Sequence, residues 1–223
     1  MNCIAKNIHR YVVFPAGILL AGVAVCWQGV SVPAHADGVR VAQAAPDKNA
    51  QKGPQTPAEF KAHQKELLTS LFDRLTNADD ERSAKLLEQA VWQVWLRSGS
   101  ETIDLLMQQS IKAMNDKRSD AALAILDAVV ELEPTYAEGW NKRATVLFTL
   151  RQFEASLRDI DKVLELEPRH FGALSGKGLI KRAQNDDKAA LKAYRRALDV
   201  HPFLSGARQA VKDLREAVEG KGI

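Results

Sequence analysis

The alternation of apolar and polar positions changes character along the chain. Residues 11–27 are almost wholly apolar, and residues 37–57 show no apolar period and hold Pro46, Pro54 and Pro57. From there on, apolar residues recur at steps of three and four, the spacing of one helix face. Leu67, Leu68, Leu71, Phe72 and Leu75 stripe one helix, and Leu87, Val91, Trp92, Val94 and Trp95 stripe a second. Ala207, Val211, Leu214 and Val218 stripe a last helix over 205–219. The pattern predicts an all-α protein. A content of only 6% aromatic residues, with Ala, Leu and charged residues common, points the same way.

Helix starts are signalled too. Thr56-Pro57-x-Glu59 and Thr135-x-x-Glu138 both read as capping boxes, in which the threonine and glutamate side chains each bond the other residue's backbone amide. Asn77 before Asp79-Asp80, and Ser119 before Asp120, read as N-caps. Ser98-Gly99-Ser100 reads as the end of one helix and the cap of the next.

A longer period lies over the helical one. Pro134, Pro168 and Pro202 stand 34 residues apart, after Glu131-Leu132-Glu133, Glu165-Leu166-Glu167 and Asp199-Val200-His201. Small residues repeat in the same frame as the pairs Ser110/Ala122, Ala144/Ser156 and Gly178/Ala190. Two helices of a tight hairpin approach closely only where both side chains are small. Large residues fill the other places: Leu106 and Leu126, Trp140 and Ile160, Leu174 and Tyr194. Each proline closes a second helix, because it has no amide hydrogen to continue the ladder.

In this period and these positions the chain resembles the tetratricopeptide-repeat (TPR) family. The resemblance implies a right-handed solenoid of helix-turn-helix repeats over 103–136, 137–170 and 171–204. Residues 205–219 form a C-terminal capping helix. Residues 57–100 form a divergent N-terminal helical pair, with Glu88 and Trp95 where the frame wants small residues. Val129 and Val163 depart from the usual Ala, and Arg143 and Lys177 from the usual Leu. Trp92 and Trp95 are expected to pack against the first full repeat; the other reading is that the two indoles stack on a sugar.

The start of the chain is a separate signal. Lys6 and Arg10, the apolar run and Ala34-His35-Ala36 read as a secretory signal peptide over 1–36, cut after Ala36. An uncleaved anchor is the alternative, against which stand the short run and its Pro15. Val25 before Cys26 speaks against a lipoprotein. Residues 37–56 are expected to be a disordered linker. No acid precedes Asp37, so of 31 basic and 28 acidic residues the chain beyond Ala36 keeps 29 and 28. That balance gives no reason to expect nucleic acid as partner. Both cysteines, Cys3 and Cys26, lie in the leader, so a thiolate metal site or catalytic thiol is not expected beyond it, and with the leader cut away no membrane-spanning segment is expected.

Chemistry-bearing patterns are sparse. His63, His170 and His201 lack metal-ligand spacing, and His170 and His201, beside the proline turns, suit a turn or capping role. Gly172-x-x-x-Gly176-x-Gly178 has no preceding strand and reads as close helix packing or a groove floor. Asp159, Asp161 and Glu165 read as a solvated helix face. No GxSxG, HExxH or Walker pattern occurs. No catalytic residue, metal or cofactor is expected.

What remains is a surface. The TPR resemblance implies that the first helix of each repeat lines a concave groove. Helical spacing then places there Asp104, Met107, Gln108 and Ile111, then Glu138, Asn141, Lys142, Thr145 and Phe148, then Gly172, Ser175, Gly176, Leu179 and Arg182. A protein or peptide partner is expected to dock on this lining. The family's carboxylate-clamp pattern is not matched. With its leader and the segments WQVWLRSGS (92–100), GWNKRATVL (139–147) and EPRHFGALSGKGLI (167–180), the chain is also similar to exported TPR proteins of Gram-negative bacteria. That similarity implies a periplasmic scaffold or adaptor linked to cell-envelope integrity. The alternatives are a periplasmic chaperone or assembly factor for outer-membrane or secreted proteins, and a glycan enzyme using Trp92, Trp95 and a carboxylate.

Overall fold

The computed structural model describes residues 56–218 and residue 220. The expected leader over 1–36, and residues 37–55 of the expected linker, lie outside the described residues. Among the described residues there are nine helices and no strand. They are α1 (Pro57–Thr76), α2 (Glu81–Trp95), α3 (Glu101–Asn115), α4 (Ser119–Leu132), α5 (Ala137–Thr149), α6 (Phe153–Leu166), α7 (Phe171–Ala183), α8 (Asp187–Val200) and α9 (Ser205–Val218).

Side-chain caps open α1, α2, α7 and α8. At α1 the capping box forms: Thr56 Oγ1 accepts from the Glu59 amide and the Thr56 amide donates to Glu59 Oε2, both at 3.1 Å. The box expected at Thr135 does not form. The Thr135 hydroxyl donates to Glu133 instead, Glu138 is turned inward, and α5 is entered from Tyr136. Asp80, not Asn77, caps α2, by accepting from the Ser83 amide at 2.9 Å. Asn77 closes α1, and Ser119 is the first residue of α4 rather than its cap.

α3–α4, α5–α6 and α7–α8 are the three repeats, each a packed pair. The small residues that sequence spacing pairs are buried, and Ser156 Oγ donates to the Ala144 carbonyl at 2.7 Å, locking the second hairpin. The turn inside each repeat passes through a left-handed residue: Lys117, Arg151 and Asn185, with φ of 57°, 58° and 61°. These too are 34 residues apart. After each, an amide bonds back over five residues, Arg118 to Ala113, Gln152 to Leu147 and Asp186 to Lys181, all at 2.9 Å. This is the Schellman closure that glycine usually supplies.

Between repeats, substitutions from the family pattern are compensated. Val129 is fully buried, and Gly139 on α5 makes room for it: a Cβ there would lie 2.8 Å from Val129 Cγ1. Arg143 pairs with Asp159 through Nε and Nη2, at 2.8 and 2.7 Å, and reaches Asp127 at 3.0 Å. Asp159 is therefore buried in an ion pair rather than on the solvated face expected for it, whereas Asp161 and Glu165 are exposed. One repeat on, Lys177 and Asp161 make the matching contact at 2.7 Å. α9 packs its Ala207, Ala210 and Leu214 against α8, as the capping helix was expected to do.

The N-terminal pair departs from expectation. α1 and α2 share a cluster that includes Leu68, Leu71, Phe72, Leu75, Ala84, Leu87, Val91 and Trp95, but it also takes in Phe171, Val200, Phe203 and Leu204. The two tryptophans thus pack on the start of the third repeat, not on the first. Thr76 Oγ1 donates to the Val200 carbonyl at 3.2 Å, and Lys61 Nζ lies 3.5 Å from Glu133. The pair is folded back over the repeats. A stripe of apolar residues fixes which face is buried, but not against what.

Candidate functional site

The face expected to bind a partner is lined by α3, α5 and α7, and the 34-residue frame sorts it into rows. Asp104, Glu138 and Gly172 form the row nearest the helix starts. Met107, Asn141 and Ser175 follow, then Gln108, Lys142 and Gly176, then Ile111, Thr145 and Leu179. The first two rows are largely closed. Met107 is enclosed with Ile103, Leu126, Tyr136 and Val146, so it fills the core between repeats rather than lining a groove. Glu138 and Asn141 are also buried, contrary to the open lining expected. Asp104 accepts from the Ser98 amide at 2.8 Å and the Ser98 hydroxyl at 2.6 Å, tying down the segment between α2 and α3. Ser175 is half-buried, and its Oγ has no hydrogen-bond partner.

α2 closes this part of the face. The Trp92 ring sits where a Gly172 side chain would be: a Cβ there would lie 2.8 Å from the ring. Lys142 Nζ lies 5.4 Å from the Trp92 ring centroid, a cation over its π face. Trp95 stacks on His170 with centroids 4.0 Å apart and planes 3° from parallel. Glu88 Oε2 is 3.2 Å from His201 Nε2, and the Tyr136 hydroxyl donates to the Leu96 carbonyl at 3.0 Å. Burial pushes the Tyr136 phenol well above its ordinary range, with Glu138 and Asp104 adding to the shift, so it serves here as a donor.

Beneath the indoles lies a polar cluster. His170 Nδ1 accepts from the Ala173 amide at 3.1 Å, capping α7. Its other nitrogen therefore carries the hydrogen and donates to Glu138 Oε2 at 3.1 Å. Asn141 Nδ2 donates to the same oxygen at 2.8 Å. Lys142 Nζ reaches Glu138 Oε1 at 2.8 Å, an ion pair that does not align as a hydrogen bond. Burial pushes the Glu138 carboxyl up, but the His170 hydrogen bond and the Lys142 ammonium outweigh it and hold the group below its ordinary value. The carboxylate stays ionised and enclosed, an anchor between α5 and α7.

The row of Ile111, Thr145 and Leu179 is where the face opens. Leu179 is 50% exposed, Thr145 is exposed and Ile111 half-buried. Gln108 and Arg182 flank the row and are exposed, Arg182 standing 3.9 Å from Asp213 of α9. Phe148 is half-buried against Phe153, 5.7 Å between centroids, and Gly176 is half-buried near Ile160. The expected site residues thus divide into an enclosed set and an open edge. The residues that sequence reasoning missed are those of α2 that cover the face. Gly172, a glycine inside a helix opposite a tryptophan-rich segment, was the one signal for them. Among the described residues, no group of three or more metal-ligating side chains comes together, and no helix is long and apolar enough to cross a membrane.

Comparison with known proteins adds the following. No family profile matches the chain. A TPR repeat-containing protein of Rhizobium etli is 42% identical over 156 residues, covering 70% of this chain and 76% of that protein. Among solved structures, the first TPR of Spaghetti (RPAP3), bound to the HSP90 peptide SRMEEVD, superposes with a TM-score of 0.52 at 21% identity, covering 54% of this chain and 95% of that one. The Sgt2 TPR domain of Aspergillus fumigatus gives 0.52 at 18% identity, over 55% of this chain and 82% of that one. At these identities the structural likeness establishes the fold.

Proposed function

This chain belongs to the TPR repeat-containing protein family, and from that premise we propose that it is a non-enzymatic protein-interaction module. It works in the periplasm as a scaffold or adaptor supporting cell-envelope integrity. The observation that carries the interaction reading is the open row of Ile111, Thr145 and Leu179, one position repeated on three successive first helices, with Gln108 and Arg182 beside it. A row of two aliphatic side chains and Thr145, whose hydroxyl is turned to the Asn141 carbonyl, with polar flanks suits an amphipathic peptide segment. The similar Spaghetti domain was solved with a peptide, and supports the idea that this fold offers a peptide surface. The export reading rests on the leader pattern of residues 1–36 and on the likeness to exported TPR proteins.

Site-specific photo-crosslinking in the native cell tests this. A probe at Leu179 is expected to give a discrete adduct whose partner mass spectrometry identifies, and a probe at Arg158, exposed on α6, none. Adducts from Arg158 alone would contradict the assignment. A smear of many adducts from Leu179 would favour a chaperone.

A further inference from the structure

A cleft of about 600 Å³ lies between α1 and the turns that lead into α5 and α7. Leu68, Leu166 and Pro168 give it apolar walls, Trp95 and the start of α5 line it, and Lys61, Lys65 and Arg169 bring positive charge to it. A helix about 10 Å across fills roughly 400 Å³ per turn, so the cleft has room for a small molecule and not for a docked helix.

Donors without acceptors meet here. Residues 135–138 line the cleft, no side chain caps α5, and the Ala137 and Glu138 amides bond to nothing among the described residues. The start of a helix favours an anion. Trp95 is only 5% exposed, and its Nε1 is buried with no acceptor. A buried donor in that state costs free energy that an incoming acceptor recovers. The charges give the same sign. Lys61 pairs with Glu133 at 3.5 Å, Arg169 with Glu167 at 3.3 Å, and Lys142 neutralises Glu138 at 2.8 Å. Lys65 is exposed and has no acid beside it among the described residues, so one cation is left over.

We propose that this cleft is a binding site for a small organic acid with one negative charge and an apolar body. The carboxylate accepts from the start of α5 and from Trp95 Nε1 and pairs with Lys65, and the body lies against Leu68, Leu166 and Pro168. The site is separate from the open row and does not depend on the interaction reading.

Isothermal titration of the unmodified chain with decanoate tests this, with decanol as the uncharged probe and acetate as the probe without a body. One decanoate per chain is expected, bound at least tenfold more tightly than either control. Lys65→Gln, at an exposed position that leaves the fold intact, is expected to weaken decanoate at least tenfold. Trp95→Phe keeps a ring and removes the N–H. It is expected to weaken decanoate about threefold without lowering the unfolding midpoint, since the N–H has no acceptor in the protein to lose. Ala137→Trp, which fills the cleft, is expected to abolish binding. Absence of decanoate binding overturns the proposal, as does decanol or acetate binding equally well, or decanoate affinity indifferent to both Lys65→Gln and Trp95→Phe.

Discussion

At Glu138, a carboxylate that helical spacing assigns to a binding groove is instead enclosed by His170, Asn141 and Lys142. Burial raises its pKa, and the His170 bond and Lys142 charge more than reverse the shift, leaving it below its ordinary 4.5. A carboxyl that holds its proton less tightly when folded stabilises the fold above its unfolded pKa. That stabilisation is lost as pH falls through the folded value. Glu138→Gln keeps an acceptor for His170 but removes the charge. Urea unfolding from about pH 6 to about pH 3 should show stability falling more steeply in the unmodified chain than in the variant; parallel profiles would refute this role. At this scale the sequence was only partly readable. His170 was legible as a turn or cap residue and does cap α7. Asp159 was not legible as buried, since its partner Arg143 stands 16 residues away on another helix.

The repeats were legible as elements because prolines, small pairs and large fillers share one period. Their inner turns were not. Lys117, Arg151 and Asn185 adopt the left-handed conformation, and glycine, whose presence marks such a turn, is missing at all three. A side chain in that conformation costs about 1 kcal/mol relative to glycine. Arg151 is exposed, and none of the hydrogen bonds closing its turn uses its side chain. Arg151→Gly is therefore expected to stabilise the chain by about 1 kcal/mol, or roughly 2–4 °C in Tm. Calorimetry showing no change or a loss would mean that the side chain contributes more than its strain costs. Capping boxes were legible where nothing competed for their members, at Thr56 and Glu59. At Thr135 the motif fails because His170, Asn141 and Lys142 claim Glu138.

At the scale of the molecule, the docking of α1 and α2 on the repeats divides the inner face into a covered part and the open edge at Leu179. Periodicity could not announce it. An amphipathic stripe specifies that a face is buried, whereas the contacts that choose the partner, such as Thr76 with Val200, span 124 residues. The same docking explains why Glu138 and Asn141, though at expected ligand-facing positions, differ in exposure from Thr145 and Leu179, whereas Met107 is enclosed by the repeats themselves. Zero-length carbodiimide crosslinking, read by mass spectrometry, tests the arrangement directly. Lys177 and Asp161, 2.7 Å apart within the repeats, provide the internal control. Lys61 on α1 and Glu133 before the first proline turn lie 3.5 Å apart, and both reach solvent. A Lys61–Glu133 link within single chains, formed alongside the control, is the predicted result. The control link without Lys61–Glu133, or that link found only between two copies, would contradict it.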